Sequence, residues 1–152
     1  MAKAARVPFG VRLFNVLTIT LLRAGFKIGV MYLLTVCGRK SGLPRTTPIA
    51  VINKGGKRYV ITPYGVVDWV RNLRAAGEAT LTRGHHVETI RAIELPSSEA
   101  GSILKSVLEG GIPSFLQKYF EVTATSSREE FERAVVRHPV FSLEEVVERE
   151  QS

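Results

Sequence analysis

The sequence predicts an α+β fold: a mostly antiparallel sheet able to close into a small barrel, preceded by an amphipathic helix and flanked by others. Two observations carry this. Short runs rich in β-branched residues come in pairs about the turn signals Lys54-Gly55-Gly56 and Gly84-His85. The order of elements, namely helix, three strands, helix, two strands, helices and a last strand, implies antiparallel pairing between neighbours.

At 152 residues the chain is long enough for one domain with its own core. We expect residues 1–29 to form a helical segment packed on or beside a barrel made by residues 30–152. From Pro8 to Ala24, Leu13, Phe14, Leu17 and Leu21 recur at helical spacing, with Pro8 where a first turn tolerates proline. Packing on the domain's own core and resting on a membrane surface both suit such a helix. Arg12, Arg23 and Lys27 interrupt the apolar region, which falls short of the roughly 20 residues that span a bilayer.

Val30 to Cys37 is an apolar run bounded by Gly29 and Gly38 and reads as a buried strand; Arg45 to Ile52 and Lys57 to Thr62 read as a hairpin. Residues 66–77 place Val66, Trp69, Val70 and Leu73 on one helical face, Arg71 and Arg74 on the other, and Gly77 at the stop. Ala79 to Arg83 and Val87 to Leu95 form a second predicted hairpin. Its second strand alternates weakly, with Glu88 and Glu94 on the same side as Ile90 and Ala92. A capping-type opening after Pro96 starts a helix that ends at Gly110-Gly111, Arg128 to Arg137 forms another, and His138 to Leu143 returns as an edge strand.

Charge is uneven. Through Arg91 there are 15 Lys and Arg against 3 acids, and from Ala92 onward 6 against 11. The front of the chain is suited to an anionic partner: nucleic acid, lipid head groups or a phosphorylated small molecule. The single cysteine, Cys37, cannot pair internally and reads as a buried, inert thiol; with no leader evident, a cytoplasmic site is expected. His85 and His86 are adjacent at a turn, and neighbours on a strand point to opposite faces, so no metal is expected. No Ser-His-Asp arrangement has local support, and Asp68 is the only aspartate.

The densest chemistry is GRKSGLPRTT, residues 38–47. Gly38 and Gly42 permit tight turns that aim backbone N–H groups at an anion; Arg39, Lys40 and Arg45 add charge, and Ser41, Thr46 and Thr47 add hydroxyls. It lacks the G-x-x-x-x-G-K-[ST] order of a nucleotide P-loop. Composition leaves open an anion cradle or a solvated basic turn. Trp69 and Asn72 fit either the core or the border of a flat ring, and YVITPYG, residues 59–65, ends a strand where backbone can approach a ligand.

GRKSGLPRTTP at 38–48, followed by DWVRNLRAAGEATLT at 68–82, resembles the deazaflavin-dependent nitroreductase family, whose members use coenzyme F420 on a split β-barrel. The resemblance covers about Leu33 to Leu95 and implies an oxidoreductase passing a hydride from F420H2 to a small electron-poor acceptor: a quinone, enone or nitroaromatic. It further implies that Arg39, Lys40, Ser41, Arg45, Thr46 and Thr47 bind the cofactor's anionic tail, with Pro48 lining the pocket. Thr62, Pro63 and Gly65 would bring backbone to the deazaflavin ring, Trp69 and Asn72 would border it, and Tyr64 would contact the acceptor, with Tyr119 a second candidate. Residues 110–120 would form either a lid or barrel packing. FMN is the alternative cofactor, because other split barrels bind it. A peripheral membrane contact through the N-terminal helix and a homodimer stay open, and nucleic acid is not expected, because few aromatics interleave the cations.

Overall fold

A computed structural model describes residues 31–110, 119–123 and 125–146. The expected N-terminal helix, the Gly111 stop and all but the ends of the 110–120 segment lie outside these residues.

The six strands are β1 (Met31–Cys37), β2 (Pro44–Lys54), β3 (Lys57–Val60), β4 (Glu78–Arg83), β5 (His86–Glu94) and β6 (Phe141–Glu145). All pairs are antiparallel, and the order β1-β2-β3-β6-β5-β4 closes into a barrel. Alternation explains its interior. Leu34 and Val36 point inward from β1, with Leu34 opposite Thr47 of β2 and Leu81 of β4. They share one core with Ile49, Val51, Val60, Ile90, Phe141 and Leu143. The β2–β3 turn uses Gly55 at φ 57° and Gly56 at φ 77°, the left-handed pair that a two-residue hairpin requires.

Helix α1 (Asp68–Ala76) adds Val70 and Leu73 to that core, each burial contributing roughly 1.5–3 kcal/mol, and Gly77 ends it in the left-handed conformation. Helices α2 (Ser97–Glu109) and α3 (Arg128–Arg137) form a second core outside the barrel, where Leu104, Phe131 and Phe120 meet Tyr59 and Ile61. Among the described residues no helix is long and apolar enough to cross a membrane.

Several boundaries differ from expectation for local reasons. β6 is not an edge strand: it pairs with β3 through Val60 and Phe141 and with β5 through Ala92 and Leu143, with Pro139 just ahead of it where no ladder bond is lost. β3 stops at Val60 rather than Thr62, because the Thr62 hydroxyl donates to the Pro139 carbonyl at 2.9 Å and its carbonyl accepts from Gly65 N–H at 3.0 Å. Helix α2 has Pro96 at its N-cap with no side-chain cap. The capping box belongs instead to α3, where Ser127 Oγ accepts from Glu130 N–H at 3.1 Å and the Glu130 carboxylate accepts in return from Ser127 N–H. Cys37 is exposed, not buried: with Val36 inside, the next side chain must point out, and its Sγ lies 3.1 Å from the Gly42 carbonyl.

His138 is buried, and its Nδ1 lies 2.8 Å from the Thr62 carbonyl. A carbonyl only accepts, so Nδ1 carries the proton in the neutral ring. Burial is the main cause lowering the imidazole pKa below 6.5, with nearby Arg137 in the same direction and the Thr62 bond and Glu121 opposing. The unfolded chain therefore takes up its proton first as pH falls, and stability is lost from about pH 6.5 downward. Urea unfolding at pH 7.5 and pH 5 should show a smaller drop for His138→Gln than for the wild type; an equal drop would assign the acid sensitivity to other groups.

Candidate functional site

The turn after β1 is closed by its own bonds. Gly38 N–H donates to the Leu43 carbonyl at 2.8 Å, Gly42 N–H to the Gly38 carbonyl at 2.9 Å, and Leu43 N–H to Ser41 Oγ at 3.2 Å. Gly42 sits at φ 71°, where a side chain is strained, and a Cβ on Gly38 would come within 2.8 Å of Ser41 Oγ and 3.2 Å of the Leu43 carbonyl, so a side chain there would disturb the Ser41 hydroxyl that closes the turn. Most backbone N–H groups expected to face an anion are thus used internally. Among the described residues, those of Lys40 and Ser41 have no hydrogen-bond partner. Lys40 and Arg45 are exposed, and the Ser41 hydroxyl, accepting from Leu43, keeps its proton to donate.

β2 divides the rest of the motif between two faces. Arg45 and Thr47 lie opposite the inward Val36 and Leu34, whereas Thr46 and Pro48 lie opposite Thr35 and Leu33. Thr46 and Thr35 share a hydroxyl–hydroxyl bond of 2.9 Å.

The turn is tied to α1. Asn72, 5% exposed, accepts at Oδ1 from both Arg39 N–H at 3.1 Å and Arg39 Nη1 at 2.8 Å, while Arg39 Nη2 lies 3.5 Å from Asp68 Oδ1. Because both partners are donors, the carboxamide's orientation is fixed, oxygen toward Arg39. Asp68 is largely exposed, so its ion pair with Arg39 adds little stability. Trp69, half-buried, packs on the barrel core one position from Asp68. The loop before α1 makes a turn over Thr62-Pro63-Tyr64-Gly65, with Gly65 at φ 81°. Thr62 has its side chain buried, so only Pro63 and Tyr64 present side chains toward solvent there. Tyr64 meets Tyr119 edge to face, ring centroids 4.8 Å apart. Burial, then proximity to Tyr119, raises the Tyr64 pKa above 10, so its phenol remains an O–H donor through the neutral range.

Of the predicted residues, Arg39 and Asn72 are brought into contact, Trp69 lies one helical turn before Asn72 on α1, Tyr64 lies on the loop that leads into α1, and Thr46 and Pro48 fall on the opposite face of β2 from Arg45 and Thr47. Sequence reasoning missed a second polar group at the barrel's other mouth. There Arg58 pairs with Glu88, a bond that raises the guanidinium pKa further, in an open cleft of about 630 Å³ lined also by Tyr32, Arg83, His86 and Glu145. The weak alternation of β5 was its trace: Glu88 shares the inward face of Ile90. His85 and His86 are exposed, and no group of metal-ligating side chains occurs among the described residues.

The donor set of the turn, three cations and the unpartnered Lys40 and Ser41 N–H groups, tied through Arg39 to the helix that carries the indole, suits an anionic appendage joined to a flat ring. A family described as F420H(2)-dependent quinone reductase matches residues 17–126. Among solved structures, an F420-H2 dependent reductase shares 22% identity at a TM-score of 0.53, covering 78% of this chain and 98% of its own. A structure described as a domain-swapped dimer shares 20% at 0.54, covering 89% and 99%. A Bacteroides thetaiotaomicron structure described by a proposed role in 5-nitroimidazole antibiotic resistance shares 9% at 0.50, covering 83% and 78%. At these identities the structures show a common barrel fold. No curated protein sequence matches the chain.

Proposed function

The chain belongs to the F420H(2)-dependent quinone reductase family, and from that premise we propose that its acceptor is a small electron-poor ring, a quinone first, with enones and nitroaromatics behind. The protein is an F420-dependent oxidoreductase on a split-barrel fold. When bound, the reduced deazaflavin supplies the hydride. The protein's own residues supply grip, orientation and charge. Arg39, Lys40, Ser41 and Arg45, with the Thr46 and Thr47 hydroxyls, hold the phosphate and glutamate tail. Pro48 lines the pocket, the backbone of Thr62 to Gly65 approaches the ring, and Trp69 and Asn72 border it. Tyr64 meets the acceptor as a neutral phenol, able to donate a hydrogen bond to the oxygen that becomes anionic. The observation that carries this reading is the bond between Arg39 and Asn72, which sets the cationic turn against the helix bearing the indole.

A peripheral membrane contact through the N-terminal segment, a cytoplasmic site and a homodimer belong to the same proposal. FMN in place of F420 has no observation in its favour. Mixing the protein anaerobically with F420H2 and a naphthoquinone should return the oxidised cofactor's visible absorbance at a rate proportional to protein. Turnover with a nitroaromatic but none with any quinone would overturn the choice of acceptor.

A further inference from the structure

Resting on this reading of the site, we propose that Asn72 is a positioning residue that acts on the ligand's anionic tail through Arg39, by fixing the shape of the turn. Arg39 is the only residue of the turn with hydrogen bonds to α1 among the described residues: two go to Asn72 Oδ1, and a third, longer one goes to Asp68 Oδ1. Of the two to Asn72, one comes from the backbone, so it anchors the chain path of the turn. The other comes from the guanidinium, so it sets the direction in which that charge points. The Asp68 contact, longer and at an exposed carboxylate, cannot do this alone.

The consequence is a specific division of labour. With Arg39 N–H held by Asn72, the neighbouring Lys40 and Ser41 N–H groups are left with no partner among the described residues. Without Asn72, Arg39 N–H and guanidinium lose a buried acceptor and the turn is held to α1 by the exposed Asp68 contact alone. The glycine-bearing turn then samples other shapes, and the entropy of ordering it is charged to ligand binding. The loss through Arg39 falls on the tail, whereas any loss from Asn72 as a border of the ring is common to tailed and tailless ligands and cancels in the preference between them.

The test compares affinities for F420 and for the same deazaflavin head without phosphate and glutamates, by cofactor fluorescence, with melting curves to verify folding. In Asn72→Ala the preference for the tailed form should fall about tenfold, the usual scale for a hydrogen bond to a charged group. In an Arg39→Ala background, where the guanidinium bond is gone but the backbone N–H bond to Asn72 remains, the same substitution should reduce that preference by clearly less than in the wild type. Arg39→Lys, at a surface position, keeps the charge and loses the planar fork, and it should also reduce the preference severalfold. Equal loss for both ligands in Asn72→Ala, the same effect in both backgrounds, or an unchanged preference in Arg39→Lys would each overturn the proposal. If the wild type binds no F420, the reading of the site fails, and inorganic triphosphate then tests the turn by itself. Wild-type binding weakened about tenfold by Asn72→Ala supports the proposal, whereas no binding or no weakening rejects it.

Discussion

Replacing Lys40 and Arg45 together by alanine should weaken F420 binding by roughly 10²–10⁴-fold while leaving the melting temperature within about 4 °C. The affinity figure follows from roughly 1.5–3 kcal/mol for each hydrogen bond to a charged group, at about 1.4 kcal/mol per tenfold. The stability figure follows from exposure: neither side chain has an ion-pair partner or a place in a core among the described residues, and surface substitutions of that kind stay within about ±0.5 kcal/mol. Lys57→Ala is the control for a lost positive charge, because Lys57 is also exposed but begins β3, opposite Lys54 at the other end of the barrel. It should leave affinity unchanged. Titration of F420 against the three proteins decides the matter, and an equal loss in Lys57→Ala would reduce the site to a diffuse basic surface.

Phe141→Ala should cost about 3–5 kcal/mol, the range for emptying a buried aromatic. Phe141 is 1% exposed, sits in the barrel core and pairs with Val60 on one side and Glu94 on the other. Because β6 joins β3 to β5, loosening it removes contacts on two strands and uncovers two edges at once. Domains of this size are stable by only about 5–15 kcal/mol, and 1 kcal/mol shifts the melting point by about 2–4 °C, so a drop of roughly 6–20 °C is expected. Urea denaturation measures it. A loss below about 1 kcal/mol would mean that β6 is a dispensable flap.

How far the sequence disclosed this protein depends on the range of the interaction involved. β1, the two hairpins, α1 and α3 were legible because glycine turns, alternation and helical period are local signals: Gly55-Gly56 and Gly77 each do what their positions imply. The role of β6 was not, since the strand's place between β3 and β5 is a pairing of distant segments that no local pattern around Phe141 encodes. Cys37 was legible and misread, because an apolar run hides the alternation that turns its last residue outward. In the site, residue types pointed to an anion next to a flat ring, but the division of the motif between two faces of β2 and the bond from Arg39 to Asn72 join segments whose contact no local pattern encodes. Thr62 was chosen for its backbone, and its buried side chain answers to Pro139, far along the chain.

Trp69 is the only tryptophan in the sequence, which makes it an unambiguous reporter for the central claim that the tail fills the cationic turn and sets the ring beside α1. Titrating the protein with F420 while following both indole emission and cofactor polarisation should give a saturable loss of most of the indole emission, with the same midpoint as the polarisation change. Cofactor binding that leaves the emission of Trp69 untouched would place the ring elsewhere and contradict the account.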